Sequence, residues 1–194
     1  FEPEGGQVPS VPGAGPPSAE EFLRDLWGYA SPEARCFSVS LQAPGSWIPR
    51  FFCRDEYGSI DALVRAAAEF VRESRGRGNV YLMVLPLSRR PERGRGGAGD
   101  VAAAGWLFAD LDYKEPLPAG APPFEGCREG EGGELECYYR EGEEWVHVRR
   151  PPLREVVEKV EAAVGAKPTY VVDSGTGYHL YFRLAGEVGV EEFR

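Results

Sequence analysis

Two acidic residues at alternate positions, Asp110 and Asp112, are the first candidates for chemistry in this chain. The segment from Gly105 to Asp112 has the composition of a strand, and side chains alternate between the faces of a strand, so both carboxylates share one face. Hard carboxylate oxygens suit Mg²⁺ or Mn²⁺, which completes its shell with water and substrate phosphate. The pair therefore predicts a divalent metal site, although a bare Asp-x-Asp is also typical of a strand end that faces solvent.

A second motif, Asp-Ser-Gly-Thr-Gly-Tyr-His, runs from Asp173 to His179. Strand-forming residues flank a turn with two glycines, which predicts a hairpin. In its second strand the apolar residues point one way, and the opposite face carries His179, Tyr181 and Arg183. Glycine amides can approach an anion closely, the Ser174 hydroxyl can donate to a phosphate oxygen, and His179 or Arg183 can neutralise its charge. The turn alone is also typical of an ordinary glycine-rich hairpin.

Together the two motifs resemble the signature of the archaeo-eukaryotic primase superfamily, in its primase-polymerase branch from plasmids, phages and mobile elements. That signature is an acid-x-acid strand followed by a Ser-Gly-x-Gly-x-His turn and strand. Asp110 and Asp112 match the first part, and the second part is matched by Ser174, Gly175, Gly177 and His179. The resemblance extends over residues 80–184 and includes an apolar strand at 79–87 that leads into an arginine- and glycine-rich loop at 89–99.

The resemblance implies a DNA primase and DNA polymerase, which transfers nucleotides from NTP or dNTP on a single-stranded DNA template. A cytoplasmic location is the default expectation, since the sequence has no transmembrane span and no signal-peptide pattern. The same resemblance implies that Asp110 and Asp112 bind the catalytic Mg²⁺ or Mn²⁺ ions. His179 would act with them, and the incoming triphosphate would be held by Ser174, Gly175, Gly177, His179 and Arg183. A helicase domain or subunit is an expected partner. The resemblance also implies the RRM-like catalytic fold of the family.

The family also has a third acid on a later strand. The chain stops at Arg194 and begins at Phe1 without an initiator methionine, so we expect a fragment that ends before this acid. Glu187, Glu191 and Glu192 are available, but no strand pattern directs them to the metals.

The net charge of -9 argues against a surface that coats DNA, because nonspecific phosphate binding depends on lysine and arginine. Any DNA contact must be local. Arginine clusters at 72–77 and 149–154 are candidates, and the best candidates precede the acidic strand: Arg89, Arg90, Arg93 and Arg95. Each cluster is also typical of a solvated loop.

The four cysteines allow more than one reading. Cys36 and Cys53 lie on two predicted paired strands where a disulfide can form, which in a cytosolic protein would indicate a hyperthermophilic host. Cys127 and Cys137 fit a disulfide or two free thiols. The alternative is a structural Zn²⁺ with His147, since some members of the resembled branch carry a zinc-binding stem here, but zinc normally takes four ligands.

The elements that must position these residues can be predicted in chain order. A capping box at Ser18 opens a first helix, strands follow at 36–41 and 48–53, and a second helix spans 59–74. A proline- and glycine-rich insertion at 116–133 precedes a hairpin at 135–148, and a third helix, whose valines 156, 157, 160 and 164 point inward, ends at Gly165. This order predicts an α+β fold with a mixed, mostly antiparallel sheet flanked by helices.

Composition limits the extent of the folded domain and the classes of protein that the chain can belong to. Residues 1–17 are rich in proline and glycine and are expected to be disordered, which leaves one domain at 18–194. No apolar run has the length of a membrane span.

Two alternative functions explain part of the motif pattern. One is a nucleotide-sugar glycosyltransferase that uses Asp-x-Asp with Mn²⁺, and the other is a non-catalytic replication-initiator or nucleic-acid-binding module on the same scaffold.

Overall fold

The computed structural model describes residues 17–120 and 122–189. The chain divides into two compact units, one formed by Phe1–Trp106 with Leu184–Arg194 and the other by Leu107–Arg183. The segment predicted to be disordered lies outside the described residues except for Pro17. The expectation of one domain at 18–194 stays a prediction, and each unit is described by itself.

The first unit begins with helix α1, Ala19–Gly28. The Ser18 side chain accepts a hydrogen bond from the Glu21 amide, and the Glu21 carboxylate accepts one from the Ser18 amide. This capping box was predicted from the sequence and is confirmed, and it satisfies amides that have no partner within the helix. Leu23, Leu26 and Trp27 form the buried side of α1.

A three-stranded antiparallel sheet of order β2-β1-β3 forms the centre of this unit. Strand β1 is Cys36–Ala43, β2 is Ser46–Cys53 and β3 is Asn79–Leu82. The predicted strand pair is therefore confirmed. Cys36 lies directly opposite Cys53, and the two form a disulfide.

The predicted strand at 79–87 is shorter in the structure, because regular pairing ends at Leu82. Met83 still donates its amide to the Ser38 carbonyl, but Pro86 has no amide to donate. Beyond the proline, Leu87 makes isolated bridges to Cys36 and Val101.

Helices α2, Arg54–Tyr57, and α3, Ile60–Glu73, follow β2. Ser59 caps α3 by accepting from the Ala62 amide, as its position before the apolar stripe predicts. The buried side of α3 consists of Leu63, Val64, Ala67 and Phe70. It packs beside α1 over one face of the sheet, where the rings of Trp27 and Phe37 lie 4.9 Å apart.

The second unit contains a four-stranded sheet of order β5-β8-β7-β6, with antiparallel pairing throughout. Its strands are β5, Lys114–Glu115; β6, Gly126–Glu129; β7, Leu135–Glu141; and β8, Glu144–Arg150. The hairpin of β7 and β8 was predicted. Strand β6 lies inside the predicted loop, where the Cys127–Cys137 disulfide and the Arg128–Glu136 ion pair join it to β7.

The remaining strands are β4, Ala103–Asp112; β9, Tyr170–Asp173; and β10, Gly177–Gly189, in the order β4-β10-β9. Helix α4, Leu153–Val164, ends at Gly165 with φ 75°, as predicted. Val156 is buried, but the inward direction predicted for Val164 is wrong, since 61% of its surface is exposed at the end of the helix.

The fold is α+β with mostly antiparallel sheets flanked by helices, which confirms that level of the prediction. The RRM-like arrangement stays a prediction. No helix in the described part of the chain is long and apolar enough to cross a membrane.

Candidate nucleotide site

The two acids of β4 lie on its solvent-facing side. Asp110 and Asp112 are exposed, while Ala109 and Leu111 pack against a cluster built around the buried Val156 of α4. The alternation predicted from the sequence is therefore confirmed, because the apolar residues have a helix to pack against and the carboxylates do not.

Strand β10 presents His179 on the same face as Asp110. Tyr178 and Leu180 are buried in the cluster with Val156, so the residue between them must point the other way. His179 Nε2 lies 3.5 Å from Asp110 Oδ1. This distance is longer than a well-formed hydrogen bond, but it allows an ion pair when the imidazole is protonated. The structure thus brings one residue from each sequence motif together.

Aromatic rings surround this pair, and the sequence reasoning did not assign them to the site. The Phe108 ring meets His179 and Tyr181 edge-on, with centroids 5.3 and 5.2 Å apart respectively. Burial, with a smaller contribution from the Asp110 carboxylate, raises the pKa of Tyr181 to about 12. Period-two spacing could have found both rings, because each lies two residues from a motif residue on its own strand.

The glycine turn packs directly on the end of β4. A Cβ on Gly177 would lie 1.7 Å from the Leu111 carbonyl oxygen and 3.1 Å from the Asp112 Cα, so no other residue fits without movement. The Tyr113 amide donates to the Thr176 carbonyl at 3.1 Å, and Gly175 has φ 90°. Ser174 is exposed in this turn, and its amide donates to the Gly177 carbonyl. The turn and the acidic strand therefore form one local structure.

A buried arginine holds the start of the turn. The Arg150 guanidinium donates to the Asp173 carboxylate, which also accepts from the Gly175 amide at 2.8 Å. Burial raises the pKa of Asp173, but the hydrogen bonds from Arg150 and Gly175 outweigh it, so the pKa lies below its ordinary value. Only 6% of the Arg150 surface is exposed. Arg150 therefore supports the turn from inside the unit and is not available as a DNA contact of the 149–154 cluster.

Arg183 lies further along β10, exposed, and its amide donates to the Thr169 hydroxyl at 3.1 Å. Alternation puts its side chain on the face of His179 and Tyr181, as predicted.

Asp110 and Asp112 could supply part of the ligand set of a divalent metal ion. Two exposed carboxylates on one strand face are hard oxygen donors, and Mg²⁺ needs only one or two of them when water and substrate phosphate supply the rest. Within residues 17–120 and 122–189, no three His, Cys, Asp or Glu side chains are grouped to hold a metal. Glu187 instead accepts a hydrogen bond from the Ser31 amide at 2.7 Å, and Glu191 and Glu192 lie outside the described residues.

The zinc alternative needs correction, because the structure does not bring its three candidate ligands together. Cys127 and Cys137 lie opposite each other and form a disulfide. His147 lies opposite Tyr138 and stacks on its ring at 4.4 Å. Since Cys137 and Tyr138 are successive strand residues, His147 is on the opposite face from both sulfurs. His147 is buried beside Glu136, with Nε2 3.3 Å from the carboxylate.

The arginine-rich loop at 89–99 belongs to the first unit. Arg89 pairs with Asp100 at 3.3 Å, and Arg90 pairs with Glu56 at 2.7 Å. Together with Arg35 these arginines line a cavity of about 430 Å³ beside the Cys36–Cys53 disulfide. The acids already neutralise two of the four predicted DNA-contacting arginines, which leaves Arg93 and Arg95 as the stronger candidates.

The chain matches no protein-family model, no curated protein and no solved structure. The resemblance to the primase superfamily is therefore carried by the motif residues alone.

Proposed function

We propose that this chain is the catalytic module of a primase-polymerase, which transfers nucleotides from NTP or dNTP to a primer on a single-stranded DNA template. The observation that carries the proposal is the 3.5 Å approach of His179 to Asp110, because it joins the two motifs on one open face. An isolated Asp-x-Asp or an isolated glycine hairpin would not require such a contact.

The roles of the residues follow from their chemistry. Asp110 and Asp112 would hold Mg²⁺ or Mn²⁺, with the remaining ligands supplied by water and by the phosphates of the nucleotide. When bound, the ions would activate the 3′-hydroxyl of the primer and stabilise the pyrophosphate leaving group. His179 lies beside the acids and can donate to a phosphate oxygen.

The turn would complete the phosphate site. The Ser174 hydroxyl is exposed and can donate to a phosphate oxygen. Gly175 and Gly177 would contribute by shaping the turn, since the Gly175 amide already donates to Asp173 and Gly177 packs against the Leu111 backbone. Arg183 supplies a cation on the strand face of His179. The Arg150–Asp173 pair keeps the turn in place without contacting the nucleotide.

We place this activity in the cytoplasm of a host that replicates a plasmid, virus or mobile element, with a helicase domain or subunit as partner. Two disulfides in a cytoplasmic protein would be typical of a hyperthermophilic host.

The experiment is calorimetric binding of dATP and ATP with and without Mn²⁺. We expect Mn²⁺-dependent binding by the unmodified chain, lost when Asp110→Asn and Asp112→Asn are combined and at least ten-fold weaker in His179→Ala. A matched control is Glu155→Gln with Glu158→Gln, which removes two exposed carboxylates from α4 in the same unit. The control should bind as the unmodified chain does.

The rivals give different results in the same titration. Tighter binding of a nucleotide sugar than of dATP would favour the glycosyltransferase. Single-stranded DNA binding that is unchanged by Mn²⁺ and by both variants, without nucleotide binding, would favour the non-catalytic module and reject our proposal.

A further inference from the structure

The sheet of the first unit has an aromatic face on the side away from helices α1 and α3. In the register of β1 and β2, Trp47 lies opposite Gln42 and Phe51 lies opposite Ser38, while Tyr81 of β3 lies opposite Ser40. Alternation therefore puts all three aromatic residues on one face. The opposite face packs on the helices, so this face has a different role.

The arginine-rich loop crosses this aromatic face. The Arg90 guanidinium lies 5.9 Å from the centroid of the Phe51 ring, and it donates to the Phe51 carbonyl at 3.4 Å. Arg95 lies 4.4 Å from the centroid of the Trp47 ring. Arginines five positions apart in the loop thus lie over aromatic residues four positions apart on β2. Such cation–π contacts explain how a loop with four glycines keeps a defined position.

The end of the face near Trp47 is partly open to solvent, although the Arg95 guanidinium lies over the Trp47 ring. The rings of Trp47 and Tyr81 lie 4.8 Å apart, and each residue keeps 42% of its surface exposed. Large aromatic side chains gain from burial, so an exposed pair is a usual feature of a binding surface. At the other end, Phe51 is covered by packing against the cluster of Cys36, Cys53 and Leu87.

Arg95 brings a positive charge to the open end, although the chain as a whole is acidic. Arg89 and Arg90 have carboxylate partners, whereas no ion pair involves Arg93 or Arg95 among the described residues. The Arg95 guanidinium therefore lies at the exposed aromatic pair with no acidic partner among the described residues, and Arg93 precedes it by two positions in the loop. A polyanion with accessible flat rings complements both features.

We propose that Trp47 and Tyr81 form a stacking platform for the bases of single-stranded nucleic acid, with Arg93 and Arg95 contacting its phosphates. Aromatic side chains stack on unpaired bases with little regard to sequence, and arginine adds charge and stacking. A duplex is a poorer occupant, since its bases already stack on each other. This site is built from residues of the first unit only, and its binding does not require Asp110, Asp112 or a metal.

The test compares two labelled strands by fluorescence anisotropy: oligo-dT of twelve nucleotides and an abasic strand of the same length. We expect Trp47→Ala to weaken binding of oligo-dT by about 5- to 140-fold, the range for loss of one stacked base. The abasic strand should bind equally to the unmodified chain and to Trp47→Ala. Trp47→Phe should retain most of the affinity for oligo-dT.

The chain offers a matched control. Trp145 of β8 also has an arginine over its ring, with Arg140 at 4.7 Å, so Trp145→Ala removes an equivalent cation–π contact. It should leave both strands unaffected. Arg95→Gln should reduce the dependence of log affinity on log salt by about 0.7, the value for one phosphate contact on a single strand.

Three results would overturn the proposal: no binding of oligo-dT by the unmodified chain, equal effects of Trp47→Ala on both strands, or equal effects of Trp47→Ala and Trp145→Ala. If Trp47→Ala acted only by disturbing the arginine-rich loop, it would weaken the binding of oligo-dT and of the abasic oligonucleotide equally. Mn²⁺-dependent dATP binding, measured on Trp47→Ala, separates this proposal from the nucleotide site, because that binding should be unchanged.

Discussion

Replacing Gly177 by alanine tests whether the glycine turn and the acidic strand form one structure. A Cβ at this position would lie 1.7 Å from the Leu111 oxygen and 2.8 Å from its carbonyl carbon. Both atoms are backbone, so no side chain can rotate away. Restoring ordinary van der Waals contact of 3.4 Å requires the two segments to separate by about 1.7 Å.

The cost can be estimated from the contacts that must change. Overpacking in a well-packed region costs about 1–3 kcal/mol, and the separation also strains the 3.1 Å hydrogen bond from Tyr113 to Thr176, worth about 1 kcal/mol. We expect Gly177→Ala to lower the free energy of unfolding by about 3 kcal/mol. This displacement would move the acids away from His179, so Mn²⁺-dependent dATP binding should weaken by about 10-fold or more, the loss expected for one hydrogen bond to a charged group.

Gly186 provides the control on the same strand. A Cβ there meets nothing within 4 Å, so Gly186→Ala should change stability by less than about 1 kcal/mol and leave binding intact. Urea unfolding followed by circular dichroism measures the first quantity, and calorimetry measures the second. If Gly177→Ala and Gly186→Ala behaved alike, the close approach of the two motifs would be refuted.

Two further predictions follow from perturbed pKa values. Asp173→Asn should destabilise the chain by about 1 kcal/mol at pH 7, a value kept small because the Asp173 side chain is 59% exposed. Because the pKa of Asp173 is lowered in the folded state, the difference in urea unfolding should begin to shrink as pH falls below about 4 and should continue to shrink toward the lowered pKa; a difference that stayed constant from pH 7 into the acid range would contradict the role of its charge. Asp110→Asn should lower the pKa of Tyr181 from about 12 but keep it above 10, since burial is the main cause; ultraviolet titration of the phenolate measures this pKa. Because the folded state raises this pKa, the contribution of the neutral Tyr181 to the free energy of unfolding should be present below pH 10 and lost between pH 10 and 12.

Local patterns predicted the elements and their faces well. The capping box at Ser18, the glycine end of α4 and the opposite directions of Asp110 and Leu111 are set by neighbours within a few residues. Where a distant contact decides, the pattern failed. Strand β6 forms inside a loop-like segment because Cys127 and Arg128 have partners on β7, and no local signal reports those partners.

The candidate site divides in the same way. The acids, the histidine and the glycines were visible as residue types at fixed spacing. The sequence did not show that His147 lies on the opposite face from Cys127 and Cys137, because this depends on which residue pairs with His147. That pairing is a property of register, which depends on how β7 and β8 meet.

By itself the sequence determined on which side of each strand the acids and the histidine lie, because side-chain alternation is a local property of the backbone. Their metal and phosphate roles stay predictions. Tertiary structure alone decided that His179 reaches Asp110, that Arg150 is buried beneath the turn, and that Arg95 lies over Trp47. These contacts join residues far apart in the chain. Their geometry depends on the packing of whole elements, which no short stretch of sequence contains.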